Sequence, residues 1–357
     1  MSAMTWSITS AASQAKIDEK RSDLSRFENQ MIDTITEASK SVVSIMISKD
    51  MKFYMEDPSN VNGPGSVNTQ TAKVWGGSWI LVSKDGYIIT NKHVVEDTTA
   101  KYSVVLSDGR TYNVDKIWFD DNIDIAVLKI VDTDGKAVSD LPMATIVAMK
   151  NEVRIGQFAL AIGNSLSQFQ NSVTMGIISA RNRELKINQW KNLYIWLFQT
   201  DTPINPGNSG GPLLDIYGNV IGINTAVSDV GQWIAFALPI TNEFVEATLT
   251  SLQHYNKIVR PLIGIAYVDI TQDVQTQLKL GTENGIYVKD VFADLPAAVA
   301  GIKAWDVITA IDDTPIDQKT PFLYQLYTYT PDTTISLNVL RDGNTMIIPV
   351  TLWQNAN

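Results

Sequence analysis

From Val42 to about residue 240 the chain is a succession of short β-rich runs separated by turn signals, and no other feature limits its fold as strongly. The runs Trp79–Ser83 and Tyr87–Thr90, for example, flank Lys84-Asp85-Gly86, which predicts a β-hairpin with a tight turn. Further runs of the same kind follow to the end of this region. So many short strands favour a pair of small β-barrels over a parallel sheet with helices on its faces.

Three stretches depart from this pattern. Residues 50–73 contain many Pro, Gly, Asn and Ser residues, which predicts a long loop. Residues 16–40 carry an apolar or small residue at every seventh position, which predicts an amphipathic helix. These positions are Ile17, Leu24, Met31 and Ala38, with Phe27 and Ile35 beside them. The helix fits either an arm packed on the body or a contact between subunits, because its apolar stripe is narrow and has the coiled-coil period. Residues 1–15 are small and polar, and we expect them to be disordered.

The last part of the chain predicts a helix and then a small domain. Residues 241–254 place Val245, Leu249 and Leu252 on one helical face. The residues beyond mix short strands with two short helical stretches, and together they have the size of a small independent domain. The predicted organisation is an N-terminal arm over 1–39, a double-barrel domain over 40–254, a linker over 255–261 and a C-terminal domain over 262–357.

Composition excludes several classes of function. The 357 residues include 28 Lys and Arg against 38 Asp and Glu, and the formal net charge of −10 argues against a nucleic-acid-binding or basic membrane-surface protein. The absence of Cys excludes disulfides, thiol nucleophiles and Cys-based metal sites. With two His and no metal-binding motif, we expect no metal and no cofactor. The sequence has neither a long apolar run nor a secretory leader pattern, so we expect no membrane span and expect any targeting segment to have been removed.

The strongest local signal is the segment 207–213, Gly-Asn-Ser-Gly-Gly-Pro-Leu. A serine followed by two glycines lets the backbone turn tightly, which exposes the hydroxyl and directs neighbouring N–H groups into one cavity. An acyl-transfer site needs this combination of a nucleophile and donors for a developing oxyanion. The alternative is a glycine-rich hairpin turn, but by average residue frequencies the motif arises by chance roughly once in a million chains of this length. We therefore predict Ser209 as a nucleophile.

A serine nucleophile needs a base, and histidine suits that role near neutral pH. His254 closes the predicted helix before the linker, whereas His93 follows a strand, so His93 is the predicted base. The base in turn needs a carboxylate that fixes its tautomer. Asp124 stands among apolar residues that open a strand, and because burying an unpaired carboxylate is costly, a partner is expected there. The alternative for Asp124 is a turn residue that only begins the strand.

With His93, Asp124 and Ser209 in this chain order, the sequence resembles the HtrA/Deg family of trypsin-like serine proteases with one PDZ domain. The matching stretches are Gly86–Val95, Asp124–Ile130, Ala161–Asn164, Val173–Ala180, Gln199–Asp215 and Val220–Ala226. The resemblance implies a mostly β fold, a chymotrypsin-like double β-barrel followed by an α+β PDZ domain. It also implies His93 as general base, Asp124 as the group that orients it, Ser209 as nucleophile, and an oxyanion hole formed by the N–H groups of Gly207 and Ser209.

The predicted substrate pocket is neutral. In the chymotrypsin-like fold its floor lies six residues before Ser209, which is Pro203 here, followed by Ile204. Asn224 and Thr225 complete the predicted lining. Because no carboxylate at the floor can pair with Arg or Lys, we expect cleavage after small or medium aliphatic residues.

The C-terminal domain resembles a PDZ domain of the bacterial Deg arrangement. Such domains bind C-terminal peptides by strand addition, while N–H groups of a loop hold the carboxylate. The predicted peptide-binding residues are Leu262, Ile263, Gly264 and Ile265. Taken by itself this segment fits an ordinary apolar strand equally well. Two positions depart from the family's usual glycines, namely Trp79 in the barrel region and Trp305 in this domain.

The resemblance implies an ATP-independent serine endopeptidase of protein quality control and stress response, with unfolded or damaged proteins as substrates. It also implies a homotrimer or higher oligomer, located in the periplasm or anchored to the cell envelope, with no nucleic-acid partner. Two other functions stay open at this point. One is a regulatory sensor protease that a C-terminal peptide at the PDZ domain switches on; the other is a chaperone or peptide-binding module whose protease domain is silent.

Overall fold

A computed structural model describes residues 3–55, 66–165, 169–187, 192–205, 207–227 and 234–354. It contains an N-terminal helix, two closed six-stranded β-barrels and a C-terminal unit built on a twisted antiparallel sheet. This architecture confirms the predicted fold class. In the described ranges, no helix is both long enough and apolar enough to cross a membrane.

The first barrel closes in the order β1-β2-β3-β6-β5-β4. Its strands are β1 (Val42–Met55), β2 (Ser66–Leu81), β3 (Tyr87–Thr90), β4 (Lys101–Val105), β5 (Thr111–Phe119) and β6 (Ala126–Val131). The prediction of a loop over residues 50–73 was wrong at both ends of that range, because β1 and β2 remain paired with each other as far as Met55 and Ser66. Paired strands satisfy each other's backbone N–H and C=O groups whatever the side chains, so polar residues do not prevent pairing. Residues 56–65 lie outside the described ranges.

The second barrel closes in the order β10-β11-β12-β9-β8-β7. Its strands are β7 (Phe158–Ser165), β8 (Phe169–Ile187), β9 (Asn192–Thr200), β10 (Pro212–Leu214), β11 (Val220–Val227) and β12 (Ala235–Pro239). Each barrel has its own cluster of buried side chains, and a third cluster lies where the two barrels meet. The interior of the first barrel includes Trp79, which is fully buried against Tyr102. The tryptophan that departs from the family's glycine is therefore a core residue.

The N-terminal helix α1 (Ala3–Ala38) begins earlier than the sequence predicted, so the expected disorder of residues 1–15 was wrong for residues 3–15. Residues 1–40 contain neither Gly nor Pro, so nothing there interrupts helix propagation. Near the end of α1, Met31 is buried and Ile35 packs against the cluster between the barrels. Leu24 and Ile32, in contrast, point into solvent. Toward the C-terminal end of the helix, the predicted stripe thus packs on the barrels through Met31 and Ile35.

Helix α2 (Asn242–Tyr255) joins the second barrel to the C-terminal unit. It begins at the N-cap Thr241, whose hydroxyl accepts the Phe244 N–H, and ends at Asn256 in the left-handed conformation. The strands of the C-terminal unit are β13 (Pro261–Leu262), β14 (Ile265–Asp269), β15 (Ile286–Val291), β16 (Val307–Ile311), β17 (Thr314–Pro315), β18 (Thr334–Arg341), β19 (Asn344–Thr351) and β20 (Trp353–Gln354). Its helices are α3 (Gln272–Leu278), α4 (Pro296–Ala300) and α5 (Phe322–Leu326). The main sheet runs β14-β15-β16-β18-β19, which leaves β14 at an edge.

Candidate active site

His93 and Asp124 meet at one end of the first barrel. His93 lies in a short 3₁₀ turn after β3, and Asp124 lies in the turn that connects β5 to β6. One Asp124 oxygen, Oδ2, lies 2.7 Å from His93 Nδ1, while Oδ1 accepts the His93 backbone N–H at 3.0 Å. The Asp124 side chain is only 4% exposed and the His93 side chain 33%. The carboxylate thus fixes both the ring and the backbone of His93, and the rest of the imidazole stays accessible.

The pKa of His93 is raised above its ordinary value. Burial alone lowers this pKa, but the hydrogen bond and the charge of Asp124 outweigh burial, and the charge of Glu96 adds to them. A hydrogen bond from Nδ1 to a carboxylate leaves Nε2 unprotonated in the neutral ring. The imidazole can therefore accept a proton at Nε2 and then hold it as a stabilised cation.

The segment that carries Ser209 turns tightly beside the ends of β2 and β3. Its backbone bonds are Asn208 N to Asn205 O at 3.0 Å, Gly211 N to Asn208 O at 3.0 Å and Gly210 N to Asn224 O at 2.8 Å. Gly210 has φ +80°, and a Cβ at this position would overlap Thr90 Oγ1. A glycine is required here for both reasons. The segment connects β9 to β10, and because these two strands do not pair with each other, it is not the hairpin turn of the alternative prediction.

The first barrel also holds this loop through Ser78. The Ser78 N–H donates to Ser209 O at 3.3 Å, and the Ser78 hydroxyl donates to Gly207 O at 2.8 Å. Among the described residues, the N–H groups of Gly207 and Ser209 have no acceptor, and the Ser209 hydroxyl forms no hydrogen bond to His93. Catalytic hydrogen bonds often tighten only when substrate binds. Two free N–H groups beside a serine are the arrangement that can stabilise a developing oxyanion.

Sequence reasoning missed Asn91, which links the two barrels at this site. Its buried side-chain amide donates to Asp124 O at 3.1 Å and to Thr225 Oγ1 at 3.0 Å. Thr225 belongs to β11 of the second barrel, and its hydroxyl donates to Ile223 O. The sequence Thr90-Asn91-Lys92-His93 could have indicated this role, because a buried Asn beside a candidate base needs hydrogen-bond partners for its amide.

Three of the four predicted pocket residues serve other purposes. Ile204 is packed in the core of the second barrel, so it does not line an open pocket. Asn224 is fully buried, with Nδ2 donating to Pro212 O at 2.9 Å, and it supports the nucleophile loop from behind. Thr225 holds Asn91, as described above. Pro203 is only partly buried, and its carbonyl accepts the Thr174 hydroxyl at 2.8 Å, so it alone of the four keeps surface available to a ligand.

A second residue that sequence reasoning missed is Tyr194 on β9. Its buried side chain lies beside the Asp124 carboxylate. The pKa of the Tyr194 hydroxyl is raised well above its ordinary range, mainly by burial and then by the charge of Asp124. Tyr194 therefore stays protonated and can act toward Asp124 only as a hydrogen-bond donor.

The described residues contain no group of three or more His, Asp or Glu side chains that could hold a metal ion.

The predicted peptide-binding segment leads into β14, which is the edge strand of the main sheet of the C-terminal unit. Gly264 has φ +83°, and a Cβ there would overlap the Leu295 side chain. The Ile263 side chain is buried in the core of the C-terminal unit, so this residue can contribute only its backbone. In the described part of the chain the N–H groups of Ile263 and Gly264 have no acceptor, and the outer edge of β14 has no partner strand. A free strand edge that starts beside two free N–H groups can take an extended peptide and its terminal carboxylate.

Two families match the chain. A trypsin-like peptidase domain matches residues 77–223, and a PDZ domain matches residues 261–352. The chain is 38% identical over 287 residues to a probable periplasmic serine endoprotease, DegP-like, of Chlamydia pneumoniae, which covers 80% of this chain and 56% of that protein. The chain thus spans about half the length of the chlamydial relatives that it matches.

Two further comparisons extend over almost the whole chain. The chain is 35% identical over 345 residues to the serine protease Do-like HtrA of Lactococcus lactis subsp. cremoris, which covers 90% of this chain and 82% of that protein. A solved structure titled HtrA-type protease AlgW with decapeptide superposes with a TM-score of 0.61 at 31% identity, covering 92% of this chain and 99% of the other. The superposition therefore extends over both the barrels and the C-terminal unit of this chain.

Proposed function

Because this chain belongs to the HtrA family of serine proteases, we propose that it is a serine endopeptidase that cleaves unfolded or damaged proteins without ATP. The observation that carries the proposal is the 2.7 Å contact between His93 and Asp124 beside the tight Ser209 turn. Residues 40–254 would form the protease domain and residues 262–357 the PDZ domain, with residues 1–39 as an arm and 255–261 as a linker.

Each group has one task in the proposed reaction. Ser209 attacks the scissile carbonyl while His93 Nε2 takes its proton, and Asp124 stabilises the resulting imidazolium. The N–H groups of Gly207 and Ser209 donate to the tetrahedral oxyanion. His93 then passes its proton to the leaving amine, and water hydrolyses the acyl-enzyme by the same steps.

Labelling with a fluorophosphonate tests the proposed activity. The wild type should be labelled and should cleave dye-labelled casein, while Ser209→Ala should do neither. Ser139→Ala, which changes an exposed serine, is the matched control and should behave as the wild type. A folded wild type that is neither labelled nor active would contradict the peptidase proposal and favour the silent peptide-binding module.

We also propose a preference for small or medium aliphatic residues before the cleaved bond, supported by Pro203 at the predicted pocket floor. Mass spectrometry of the casein fragments tests this preference. Cleavage mainly after Arg or Lys would contradict it.

The PDZ domain is proposed to bind C-terminal peptides. The free edge of β14 and the free N–H groups of Ile263 and Gly264 support this, and one similar structure is titled as a decapeptide complex. Fluorescence polarisation with a library of peptides of varied C-termini would measure the binding. The same peptides added to the casein assay separate the two protease functions, since only a sensor protease is activated by them.

Oligomer formation and location complete the proposal. Leu24 and Ile32 on α1 are exposed apolar residues, which supports a role for the arm in a homotrimer. Light scattering on the whole chain and on a form without residues 1–39 tests this role, and a monomer in both cases contradicts it. A periplasmic or envelope location is supported by the names of the relatives from Chlamydia and Brucella.

A further inference from the structure

Tyr327 follows helix α5 of the PDZ domain, yet its side chain is buried in the cluster between the two barrels. Its ring meets Trp196 of β9 edge-on, with ring centres 5.9 Å apart, and Tyr324 meets the same Trp196 at 5.7 Å. On its other side Tyr327 contacts Arg260 of the linker, whose guanidinium lies 5.3 Å from the ring centre. Tyr327 therefore touches the protease domain at Trp196 and the linker at Arg260.

The contact with Arg260 leads to the turn that carries Asp124. Arg260 Nε donates to Asp120 Oδ2 at 2.7 Å, and the two side chains are 3% and 0% exposed. Asp120 Oδ1 accepts the N–H groups of Asn122 and Ile123, and the Asp120 N–H donates to Ile125 O at 2.9 Å. These bonds close the turn over residues 120–125. Arg260 is therefore connected through Asp120 to the backbone on both sides of Asp124.

The contact with Trp196 leads to the other side of the same carboxylate. Trp196 has φ +62°, a left-handed backbone that a bulky residue rarely adopts. It lies in a β-bulge, because Ile195 and Trp196 of β9 together oppose the single residue Glu184 of β8. Tyr194, beside Asp124, lies two residues before Trp196 on the same strand. The Tyr324 and Tyr327 rings pack against Trp196 and so hold the strained bulge in the shape that places Tyr194.

We infer that Tyr327 is a positioning residue for the Asp124–His93 pair, acting through Trp196 on one side and through Arg260 on the other. The inference rests on the proposed peptidase function and assigns the route by which the PDZ domain reaches the catalytic base. Helix α5 also contacts β14, whose free edge is the proposed peptide site, because Phe322 packs against Tyr267 with ring centres 5.2 Å apart. Helix α5 and the residue that follows it thus contact both β14, the proposed peptide-binding strand, and Trp196 of the second barrel.

The test uses the fact that the chain has only two histidines. Nuclear magnetic resonance of the full chain with labelled histidine measures the pKa of His93 directly, and His254→Gln identifies its signal. Tyr327→Leu should lower the pKa of His93 by about half a unit. Asp124 raises this pKa and would raise it less once displaced, while the burial of His93, which lowers the pKa, stays the same. On casein-derived peptides kcat should fall about threefold to tenfold while KM stays constant.

Trp196→Leu should give the same shift in the pKa of His93, and the double variant with Tyr327→Leu should shift it no further than the larger single variant. Tyr327→Phe keeps the ring and should restore the wild-type value. If Tyr327→Leu fails to fold, Trp196→Leu carries the test, because Trp196 is only partly buried. The other titratable groups near the pair, Glu96, Tyr194 and Lys92, are unchanged in every variant.

Tyr329→Leu is the matched control. Tyr329 lies two residues further on, and its hydroxyl donates to Asp312 within the PDZ domain at 2.8 Å, so its loss should leave the pKa of His93 unchanged. Folded Tyr327→Leu and Trp196→Leu variants with a wild-type pKa of His93 would overturn the inference, as would an equal shift in Tyr329→Leu. Fluorophosphonate labelling separates the peptidase proposal from the positioning role of Tyr327. If the wild type is not labelled but the pKa of His93 shifts in the variants as described, only the peptidase proposal is contradicted.

Discussion

Asp124 is held from three directions, and this explains how a buried carboxylate can serve as a partner for His93. The His93 ring and backbone occupy its two oxygens, Tyr194 lies beside it, and Asn91 binds its backbone carbonyl. Burying a charge is favourable only when donors replace the lost water. The same donors restrict where the carboxylate can move, so the imidazole it binds keeps one orientation.

At this scale Glu96 provides a test of the electrostatics. The proposed proteolysis needs neutral His93, so the acidic limb of the pH profile of kcat/KM should lie above the ordinary histidine value near 6.5. Glu96→Gln removes a charge that raises the pKa of His93, so the limb should move to lower pH by a few tenths of a unit. Asp134→Asn, an exposed carboxylate paired with Lys136, should leave the limb in place. A limb that stays fixed or moves upward in Glu96→Gln contradicts this account.

At the scale of elements, the sequence predicted which segments form strands better than how far those strands extend. Turn signals placed β3 at its observed bounds, Tyr87–Thr90. The β1–β2 hairpin runs much further than predicted, because pairing between two polar arms leaves little periodic signal. Similarly, the glycines around Ser209 predicted the tight turn that is observed there, whereas Tyr194 reaches the site only through tertiary packing, which local patterns do not encode.

The Ser209 loop gives the prediction that belongs to this scale. Gly210→Ala adds a methyl group at φ +80° that overlaps Thr90 Oγ1 and lies 2.7 Å from Ser78 O, so the loop must move. We expect fluorophosphonate labelling of Ser209 to fall at least tenfold in a protein that stays folded. Gly218→Ala is the matched control, since Gly218 also has positive φ but the atom nearest to a Cβ there, Thr34 Cγ2 of α1, lies 3.2 Å away. Both variants lose about 1–2 kcal/mol to backbone strain, so a difference in labelling reports the loop itself. Equal labelling of the two variants would contradict the proposed role of the loop.

At the scale of the whole molecule, the two domains share part of one hydrophobic core. Tyr327 of the PDZ domain is buried in the cluster between the barrels, and Leu323 packs against both that cluster and the core of its own domain. The surface around this contact is polar: Lys319 binds Glu152 at 3.0 Å, and Arg181 donates to Lys319 O at 2.8 Å. A buried centre surrounded by polar contacts is typical of a stable interface and not of two domains joined only by a linker.

The buried ion pair between Arg260 and Asp120 tests how strongly this interface stabilises the molecule. Arg260→Met leaves the Asp120 carboxylate buried without its partner, so urea denaturation should show a loss of about 3–5 kcal/mol in the free energy of unfolding. The double variant Asp120→Asn with Arg260→Met removes both charges and should recover most of that loss. Arg110→Met breaks an exposed pair with Asp108 and should cost less than about 1 kcal/mol. A double variant no more stable than Arg260→Met would show that the guanidinium stabilises the interface by packing against Phe244 and Tyr327, and not by neutralising Asp120.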